Sequence, residues 1–451
     1  MLIEFSVSNF LSFNDRQTFS MGAGNVRLKQ DHVSRSRKCS LLKFSAIYGA
    51  NGAGKSNLVT AMKFAQRVIF DGLKSSDRSR YCRVHPENVD KNSTFEFKIK
   101  LDNKMYVYGF EALLSKESIR KEWLCEILAT GESKNLFVRE PLSEWKYNLG
   151  SILSRNASVK VFVDSMSSNE EMLFLTEMSR NKSGFYQNNE KLLFIFEIYK
   201  WFRGTLAINY PESSASPTNF TNSNTLSVIS QILSKMDLGV SDVKLVDGSF
   251  DELHRYLPAK AVDQFIEQYK KDVPEILKQC PDFDGGLILR GPKNFFILSY
   301  NKEIEDVQLK KFEFRHKNID TIFGYHEESD GTRRLLDIIE VLISAKSGSN
   351  KVYVIDEIDL GLHPLLTRKF IEEYLNEIKD TDIQLIVTTH ESKLMDLSLL
   401  RADEIRFVTK DERGVSTFGN LEEYNERFDK KVVKAYLNGE YAGIPKFDKS
   451  A

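Results

Sequence analysis

The chain has 451 residues, of which 41% are hydrophobic and 28% are charged, and its formal net charge is −1. This length accommodates one large domain or two to three ordinary ones, with enough apolar residues for a sizeable core. The near-neutral balance gives no global attraction to nucleic acid, so such a contact needs a local basic patch. No stretch approaches the ~18 apolar residues of a membrane span, and the start lacks signal-peptide features. We therefore expect a cytoplasmic protein that makes no membrane contact.

The four cysteines are widely scattered along the chain, at Cys39, Cys82, Cys125 and Cys280. Scattered cysteines fit reduced thiols better than a zinc site or a disulfide framework. The seven histidines also show no pair at metal-ligand spacing. The sequence therefore predicts neither structural zinc nor disulfide bonds.

A glycine-rich segment has the spacing of a phosphate-binding loop, Gly49-x-x-x-x-Gly54-Lys55-Ser56. Residues 42–48 before it predict a short β-strand, and an apolar helical stripe follows it. A glycine-rich turn between a strand and a helix is the context in which this motif cradles nucleotide phosphates. Lys55 is predicted to reach the β- and γ-phosphates, and Ser56 to bind Mg²⁺. The loop residues predicted to bind ATP are Asn51, Gly52, Ala53, Gly54, Lys55, Ser56 and Asn57.

Residues 27–38, between the first predicted strand and this loop, form a basic run. Its basic side chains are Arg27, Lys29, Arg35, Arg37 and Lys38. Such a run is typical of a solvated loop, and it also suits a contact with a partner or with nucleic acid beside the nucleotide. Both interpretations stay open at the level of sequence.

A second candidate element is the apolar run 352–355, which is followed by Asp356 and Glu357. A short, continuous apolar run is typical of a buried parallel strand. Asp356 is predicted to bind Mg²⁺ together with Ser56, and Glu357 to act as the general base for the attacking water. The separation of about 300 residues from the P-loop argues against a compact Ras-like GTPase or a small kinase, whose cores are near single-domain size.

The next predicted strand covers 383–387 and ends in Thr388, Thr389 and His390. One helix-sized segment separates it from the preceding strand, so the two are expected to be neighbours in a doubly wound sheet. His390 is then predicted to hydrogen-bond the γ-phosphate and to orient the attacking water.

The segment Ser329-Asp330-Gly331-Thr332 is a turn ahead of a strong helical stripe. A well-capped helix, with Ser329 or Asp330 as the N-cap, is one interpretation. The other is that this helix N-terminus grips the γ-phosphate of a nucleotide bound to a second subunit.

The order of these motifs resembles that of ABC-type ATPases of the SMC and RecF kind. In those proteins an LSGGQ-like signature acts in trans across a head-to-head dimer, and residues 328–332 correspond to it. The resemblance implies an α/β fold, namely a P-loop NTPase of the ABC-ATPase head type with a mainly helical insertion. It also implies a homo-oligomer built on such dimers, in which ATP lies between protomers. The signature residues that would contact the partner's ATP are Ser329, Gly331 and Thr332.

Two positions depart from the ABC pattern. The glutamine of the Q-loop has no counterpart in residues 80–97, where His85 and Asn88 are the candidate replacements. His363 occupies the position of the D-loop aspartate of ABC transporters. It either contacts the partner at the dimer interface or is simply a histidine at the start of a helix.

The stretches VSNFLSF, GANGAGKSNL, ESDGTRRLL, DEIDLGLHPLL, VTTHESKLMD and AYLNGEYAGIP resemble AAA-type ATP-binding proteins of bacterial phage-defence loci. That family includes RloA-like, AbiL-like and AriA-like proteins, and the match is good at both ends of the chain and weak in the middle. It implies an ATP- and Mg²⁺-dependent ATPase of an abortive-infection complex. Such a subunit would control an effector such as a Toprim, HNH or RloB-type nuclease, and a phage protein would trigger it. The alternative is a RecF-like DNA-repair ATPase that binds DNA.

The sequence predicts three segments. Residues 1–150 form an N-terminal ATPase lobe with the P-loop and antiparallel strands around Asp102 and Asn103. Residues 151–285 form a mainly helical insertion. Residues 286–451 form a C-terminal ATPase lobe with the signature, the Asp-Glu strand and His390.

Overall fold

The computed structural model describes residues 1–141, 145–166, 169–211, 220, 223–256, 258–279, 286–291, 294–301, 304–424 and 432–441. The chain forms two compact units, each assembled from separate stretches of sequence. The first comprises Met1–Pro211, Gly348–Ile358 and Ile378–Ala451, and the second comprises Glu212–Ser347 and Asp359–Glu377. Cys39, Cys82 and Cys125 have free thiols, and Cys280 lies outside the described residues.

Strands and helices both occur along the described chain, mostly in runs of several strands or several helices. The strands are β1 (Leu2–Ser8), β2 (Gln17–Ser20), β3 (Val33–Arg35), β4 (Ser40–Leu42), β5 (Phe44–Tyr48), β6 (Ser93–Leu101), β7 (Lys104–Leu113), β8 (Ser118–Ile127), β9 (Ser133–Pro141), β10 (Trp145–Leu149), β11 (Leu206–Asn209), β12 (Val240–Asp247), β13 (Leu287–Gly291), β14 (Asn294–Asn301), β15 (Asp306–His316), β16 (Ile322–Gly324), β17 (Val352–Ile355), β18 (Gln384–Thr388), β19 (Ile405–Lys410) and β20 (Ser416–Asn420). The helices are α1 (Lys55–Asp71), α2 (Ser151–Ser154), α3 (Ala157–Ser165), α4 (Phe174–Ser179), α5 (Ser183–Gln187), α6 (Leu193–Lys200), α7 (Ser223–Lys235), α8 (Phe250–His254), α9 (Ala259–Gln279), α10 (Asp330–Ser347), α11 (Pro364–Glu377) and α12 (Val432–Leu437). The predicted α/β class is confirmed.

A six-stranded sheet in the first unit has the order β11-β17-β18-β5-β19-β20. The first five strands in this order, β11, β17, β18, β5 and β19, are paired in parallel. Strand β20 pairs with β19 at the edge in antiparallel orientation. The strands β5, β17 and β18 are buried along their whole length, which explains their apolar sequences. Because β18 pairs with both β17 and β5, the Asp-Glu strand and the P-loop strand flank it. The predicted adjacency of β17 and β18 is confirmed.

A seven-stranded antiparallel sheet in the same unit has the order β10-β9-β8-β7-β6-β1-β2. The predicted turn joins β6 to β7, with Asp102 in the left-handed region at a φ of 49°. Helices α2 to α6 follow this sheet in the chain and contribute to its core. For example, the rings of Phe137 and Phe174 meet edge to face at 5.3 Å, and those of Tyr106 and Phe194 stack at 6.0 Å.

The second unit has a five-stranded antiparallel sheet with the order β12-β15-β14-β13, and β16 pairs with β15. Helix α7 packs beside β12, where Ser230 Oγ accepts a hydrogen bond from the Val243 N–H at 3.0 Å. The segment predicted as a mainly helical insertion therefore also contains strands, since β11 enters the parallel sheet and β12 this one. The two units divide the chain at places other than 150 and 285, and the three-segment division stays a prediction.

A helix that spans a membrane must be both long and apolar. Helix α9 has 21 residues and carries charged side chains along its length. Among the described residues, no helix combines the length and the apolar character needed to cross a membrane.

Candidate nucleotide-binding site

The predicted phosphate-binding loop connects β5 to α1 at the carboxyl end of the parallel sheet. Gly54 is the N-cap residue of α1 with a φ of 113°, and a Cβ atom there would lie 2.4 Å from Ser416 Oγ. A Cβ atom on Gly49 would lie 2.4 Å from the carbonyl oxygen of Val408. Only glycine therefore fits at both positions, and the backbone turns tightly into a helix N-terminus, whose N–H groups favour anions.

Lys55 begins α1 and is only 5% exposed. Its ammonium donates hydrogen bonds to the carbonyl oxygens of Gly49 at 2.7 Å and Ala50 at 3.2 Å. His390 Nδ1 lies 3.5 Å from Lys55 Nζ, at the outer limit of a hydrogen bond. Two predicted site residues that are 335 positions apart in sequence thus meet at the loop.

Asp356 follows β17 and is 3% exposed. Its Oδ1 accepts hydrogen bonds from Ser56 Oγ at 3.1 Å and from Thr388 Oγ1 at 2.5 Å. Hydroxyl and carboxylate oxygens are ligands that Mg²⁺ prefers, so Ser56 and Asp356 fit this ion by their chemistry. The described residues contain no group of three or more His, Cys, Asp and Glu side chains arranged for a metal. Nucleotide phosphates and water would have to supply the remaining ligands.

Glu357 has a φ of 48°, in the left-handed region that residues other than glycine rarely adopt. Its backbone N–H donates to Thr388 Oγ1 at 2.8 Å, so Thr388 holds both Asp356 and the backbone of Glu357. Strained conformations of this kind cluster at active sites. The geometry is compatible with the predicted role of Glu357 as the general base, which stays a prediction.

Two serines that sequence reasoning missed support the back of the loop. Ser416 Oγ lies 2.6 Å from the carbonyl oxygen of Ala53 and 2.8 Å from Ser12 Oγ. Asn57 Nδ2 donates to Ser12 Oγ at 2.7 Å. No local pattern points to these two residues, because they are 404 positions apart and meet only in the folded unit.

Strand β11 adds a further edge to the site that the sequence analysis did not predict. The carbonyl oxygen of Asn209 accepts a hydrogen bond from the Asp356 N–H at 2.9 Å. Burial raises the pKa of the neighbouring Tyr210, and the charge of Asp356 raises it further, against a hydrogen bond with Thr60. The sequence does contain an indication of this strand, because residues 206–208 form a short apolar run followed by a polar residue, as in β17.

The predicted signature residues lie in the second unit. Ser329 Oγ accepts a hydrogen bond from the Thr332 N–H at 3.1 Å and lies 2.9 Å from Thr332 Oγ1. Ser329 is therefore the N-cap of α10, one of the two residues predicted for that position. A Cβ atom on Gly331 would lie 3.5 Å from the carbonyl oxygen of Gly361, so the loop before α11 adjoins the predicted signature. The contacts of these residues with a nucleotide stay predictions.

His363 and Asn88, at the two positions that depart from the ABC pattern, make hydrogen bonds with nearby residues. His363 Nδ1 accepts a hydrogen bond from the Leu365 N–H at 3.2 Å, at the start of α11. Asn88 is buried, and its Nδ2 donates to Asn14 Oδ1 at 2.7 Å and to the carbonyl oxygen of Cys82 at 3.0 Å. The amide of Asn88 thus holds the loop after β1, which argues against its use as a phosphate sensor.

Thr388 supplies the first test of this geometry. Thr388→Val keeps the shape of the side chain and removes the hydroxyl that fixes Asp356 and Glu357. We expect Mg²⁺-dependent ATP turnover to fall about 10- to 100-fold, the usual cost of losing a group that orients a metal ligand. Turnover measured across a Mg²⁺ titration gives the readout, and Thr409→Val, on an exposed Thr409–Thr417 pair, is the control. Unchanged turnover in Thr388→Val would show that Asp356 needs no such support.

Comparisons with solved structures give distant likenesses to SMC heads. One is the SMC head bound to the C-winged helix domain of ScpA, with 14% identity, 93% of this chain and 97% of that chain covered, and a TM-score of 0.41. The SMC head domain from Thermotoga maritima has 14% identity, coverage of 93% and 98%, and a TM-score of 0.36. The Pyrococcus furiosus SMC head with an extended coiled coil, bound to the C-terminal domain of ScpA, has 15% identity, coverage of 97% and 99%, and a TM-score of 0.36. Likenesses this distant carry no weight for function.

Comparison with curated proteins gave no match. The family model described as "AAA domain, putative AbiEii toxin, Type IV TA system" matches residues 44–396. This range includes the P-loop, the signature segment, the Asp-Glu strand and His390, and it is well over half of the chain. The chain therefore belongs to this AAA family of P-loop ATPases.

Proposed function

We propose that this chain binds ATP with Mg²⁺, hydrolyses it, and serves as the ATPase subunit of a cytoplasmic abortive-infection complex. The observation that carries the enzymatic part is the convergence of Lys55, Ser56, Asp356 and Glu357 at one edge of the parallel sheet. In such a site the backbone and Lys55 bind the phosphates. Ser56 and Asp356 would hold Mg²⁺, which when bound would neutralise phosphate charge.

The remaining roles follow from position. Glu357, directly after Asp356, would accept the proton of the attacking water. His390, beside Lys55 Nζ, would hydrogen-bond the γ-phosphate and orient that water. Ser329, Gly331 and Thr332 would contact the ATP of a second protomer, since the N-terminus of a helix suits a phosphate.

The defence assignment rests on two supports. The family description itself refers to a toxin and a type IV toxin–antitoxin system, and the motif resemblance is to proteins of phage-defence loci. We propose that the ATP state of the complex controls a separate effector, such as a Toprim, HNH or RloB-type nuclease, and that a phage protein provides the trigger. The chain expressed with its neighbouring genes should then protect bacteria from phage, and Lys55→Ala should abolish protection. Equal protection by Lys55→Ala would reject the assignment.

A RecF-like DNA-binding ATPase is the second candidate, favoured by one basic surface. The β3–β4 hairpin carries Arg35, Arg37 and Lys38, which line an open cavity of about 650 Å³ together with Lys100. Part of this charge is neutralised, because Lys100 Nζ lies 3.5 Å from Asp382. Under this hypothesis the isolated protein binds DNA with a steep salt dependence, and replacing Arg37 and Lys38 by Glu weakens that binding. If the isolated protein binds no DNA, or binds DNA without salt dependence, the RecF-like candidate is rejected and the defence ATPase remains.

Two substitutions separate ATP binding from ATP hydrolysis. Lys55→Ala removes the ammonium in the loop, and we expect it to abolish productive ATP binding. Glu357→Gln keeps Asp356 and Ser56, and we expect it to bind ATP but to hydrolyse it about 10²–10⁴ times more slowly, the typical effect of losing a general base. Nucleotide titration and turnover assays measure both, with Lys63→Ala in the same helix as the control. Wild-type turnover in Glu357→Gln would mean that another residue is the base.

A mixing experiment tests whether the signature acts in trans. Ser329→Arg places a bulky cation at an exposed helix start, where it would obstruct closure over a partner's nucleotide, so we expect ATP binding by the protomer to persist and hydrolysis to fail. A mixed dimer of Ser329→Arg and Lys55→Ala chains has one intact composite site. Partial activity is therefore expected from two proteins that are each inactive alone. Full activity of Ser329→Arg by itself would reject the trans arrangement.

A further inference from the structure

A hydrogen bond between His316 and the buried Glu328 links the signature segment to the sheet of its own unit. Glu328, the residue before the N-cap Ser329, has a side chain that is only 2% exposed. Its Oε1 lies 2.7 Å from His316 Nε2, and the histidine side chain is 21% exposed. A carboxylate buried to this extent is costly unless it is paired. Glu328 is therefore held in place by His316 rather than by solvent.

His316 is itself fixed on several sides. It is the last residue of β15 and is paired with Val240 of β12, while its ring meets Phe323 of β16 edge to face at 5.1 Å. A Cβ atom on Gly239 would lie 3.3 Å from His316 Nδ1, so the backbone closes over the ring. The histidine thus stands at the junction of three strands, where its position is set by the sheet.

The backbone hydrogen bond made by Glu328 is a long one. The Glu328 N–H reaches the carbonyl oxygen of Tyr325 at 3.4 Å, near the limit of a hydrogen bond. Ser329 Oγ bonds forward to Thr332, within its own helix, and so does not fix the helix to the sheet. The His316–Glu328 contact therefore supplies a side-chain link between the sheet and the residue just before the N-cap of α10.

We infer that His316 and Glu328 are positioning residues for the signature, setting the orientation of Ser329 toward a nucleotide bound by a partner protomer. This inference rests on the proposed function, in which the signature closes over the partner's ATP. In this proposal the pair has no direct role in binding nucleotide or Mg²⁺. Its effect is on the closing of the dimer, and binding of ATP by a single protomer is independent of it.

The test uses Glu357→Gln chains, in which slow hydrolysis preserves the ATP-bound dimer. Sedimentation with and without ATP measures dimerisation, and nucleotide titration of dilute protein measures binding by the protomer. Adding His316→Ala should weaken ATP-dependent dimerisation roughly 10- to 100-fold, the scale expected from misplacing a contact by about 1 Å. The affinity of the single protomer for ATP should change by no more than about twofold. A tenfold change would correspond to about 1.4 kcal/mol of binding free energy.

Three further variants separate positioning from folding. His316→Gln keeps an amide donor for Glu328 and should restore most of the dimerisation. Glu328→Gln should give a milder loss than His316→Ala, because it keeps a polar partner for His316. His254→Ala is the matched control, since it breaks a His254–Asp263 pair of 2.9 Å in the same unit and should leave dimerisation unchanged.

The outcomes are distinguishable. If the Glu357→Gln chain itself forms no dimer with ATP, the proposed function fails. If it dimerises, and His316→Ala dimerises equally well, the positioning role is overturned. An equal loss in His316→Ala and His254→Ala, or a loss that His316→Gln does not restore, would also overturn it, because the effect would then be one of general stability.

Discussion

The hydrogen bonds around Asp356 are the interaction on which the rest of the site depends. Its carboxylate accepts from Ser56 of the P-loop helix and from Thr388 at the end of β18, and its N–H donates to Asn209 of β11. Three segments far apart in sequence thereby meet at one residue, Asp356, at the end of buried parallel strands. The carboxylate, which is costly to bury, is stabilised by the hydroxyl donors of Ser56 and Thr388.

The strain at Glu357 has a physical reason in the same network. A residue with a φ of 48° must be held by its surroundings, and the bond from its N–H to Thr388 Oγ1 provides this hold. Thr388 donates its hydroxyl hydrogen to Asp356 and accepts from Glu357, so a single hydroxyl sets the relative position of both acidic residues. A change at Thr388 should therefore alter the positions of the proposed metal ligand Asp356 and the proposed base Glu357 together.

How much could be predicted from sequence depended on whether a feature is local. Strands β5, β17 and β18 were identified to within about two residues, because buried parallel strands form apolar runs bounded by glycine or acidic residues. The glycines of the loop were likewise recognisable from their spacing. The contacts of Ser12 and Ser416 behind the loop could not be recognised in the sequence, because they join residues that are 404 positions apart. Strand β11 was missed because its four residues follow directly on a long helical pattern.

The chemistry of Ser329 explains why a small hydroxyl, rather than the acidic residue beside it, suits the start of α10. A serine hydroxyl can accept the Thr332 N–H and still donate its own hydrogen to a phosphate oxygen. Contact with a phosphate would thus leave the helix cap in place. Asp330 has no such donor, and its negative charge would repel a phosphate, but Arg333 pairs with it one turn along the helix. The pair lowers the local negative charge, and the helix N-terminus keeps its attraction for an anion.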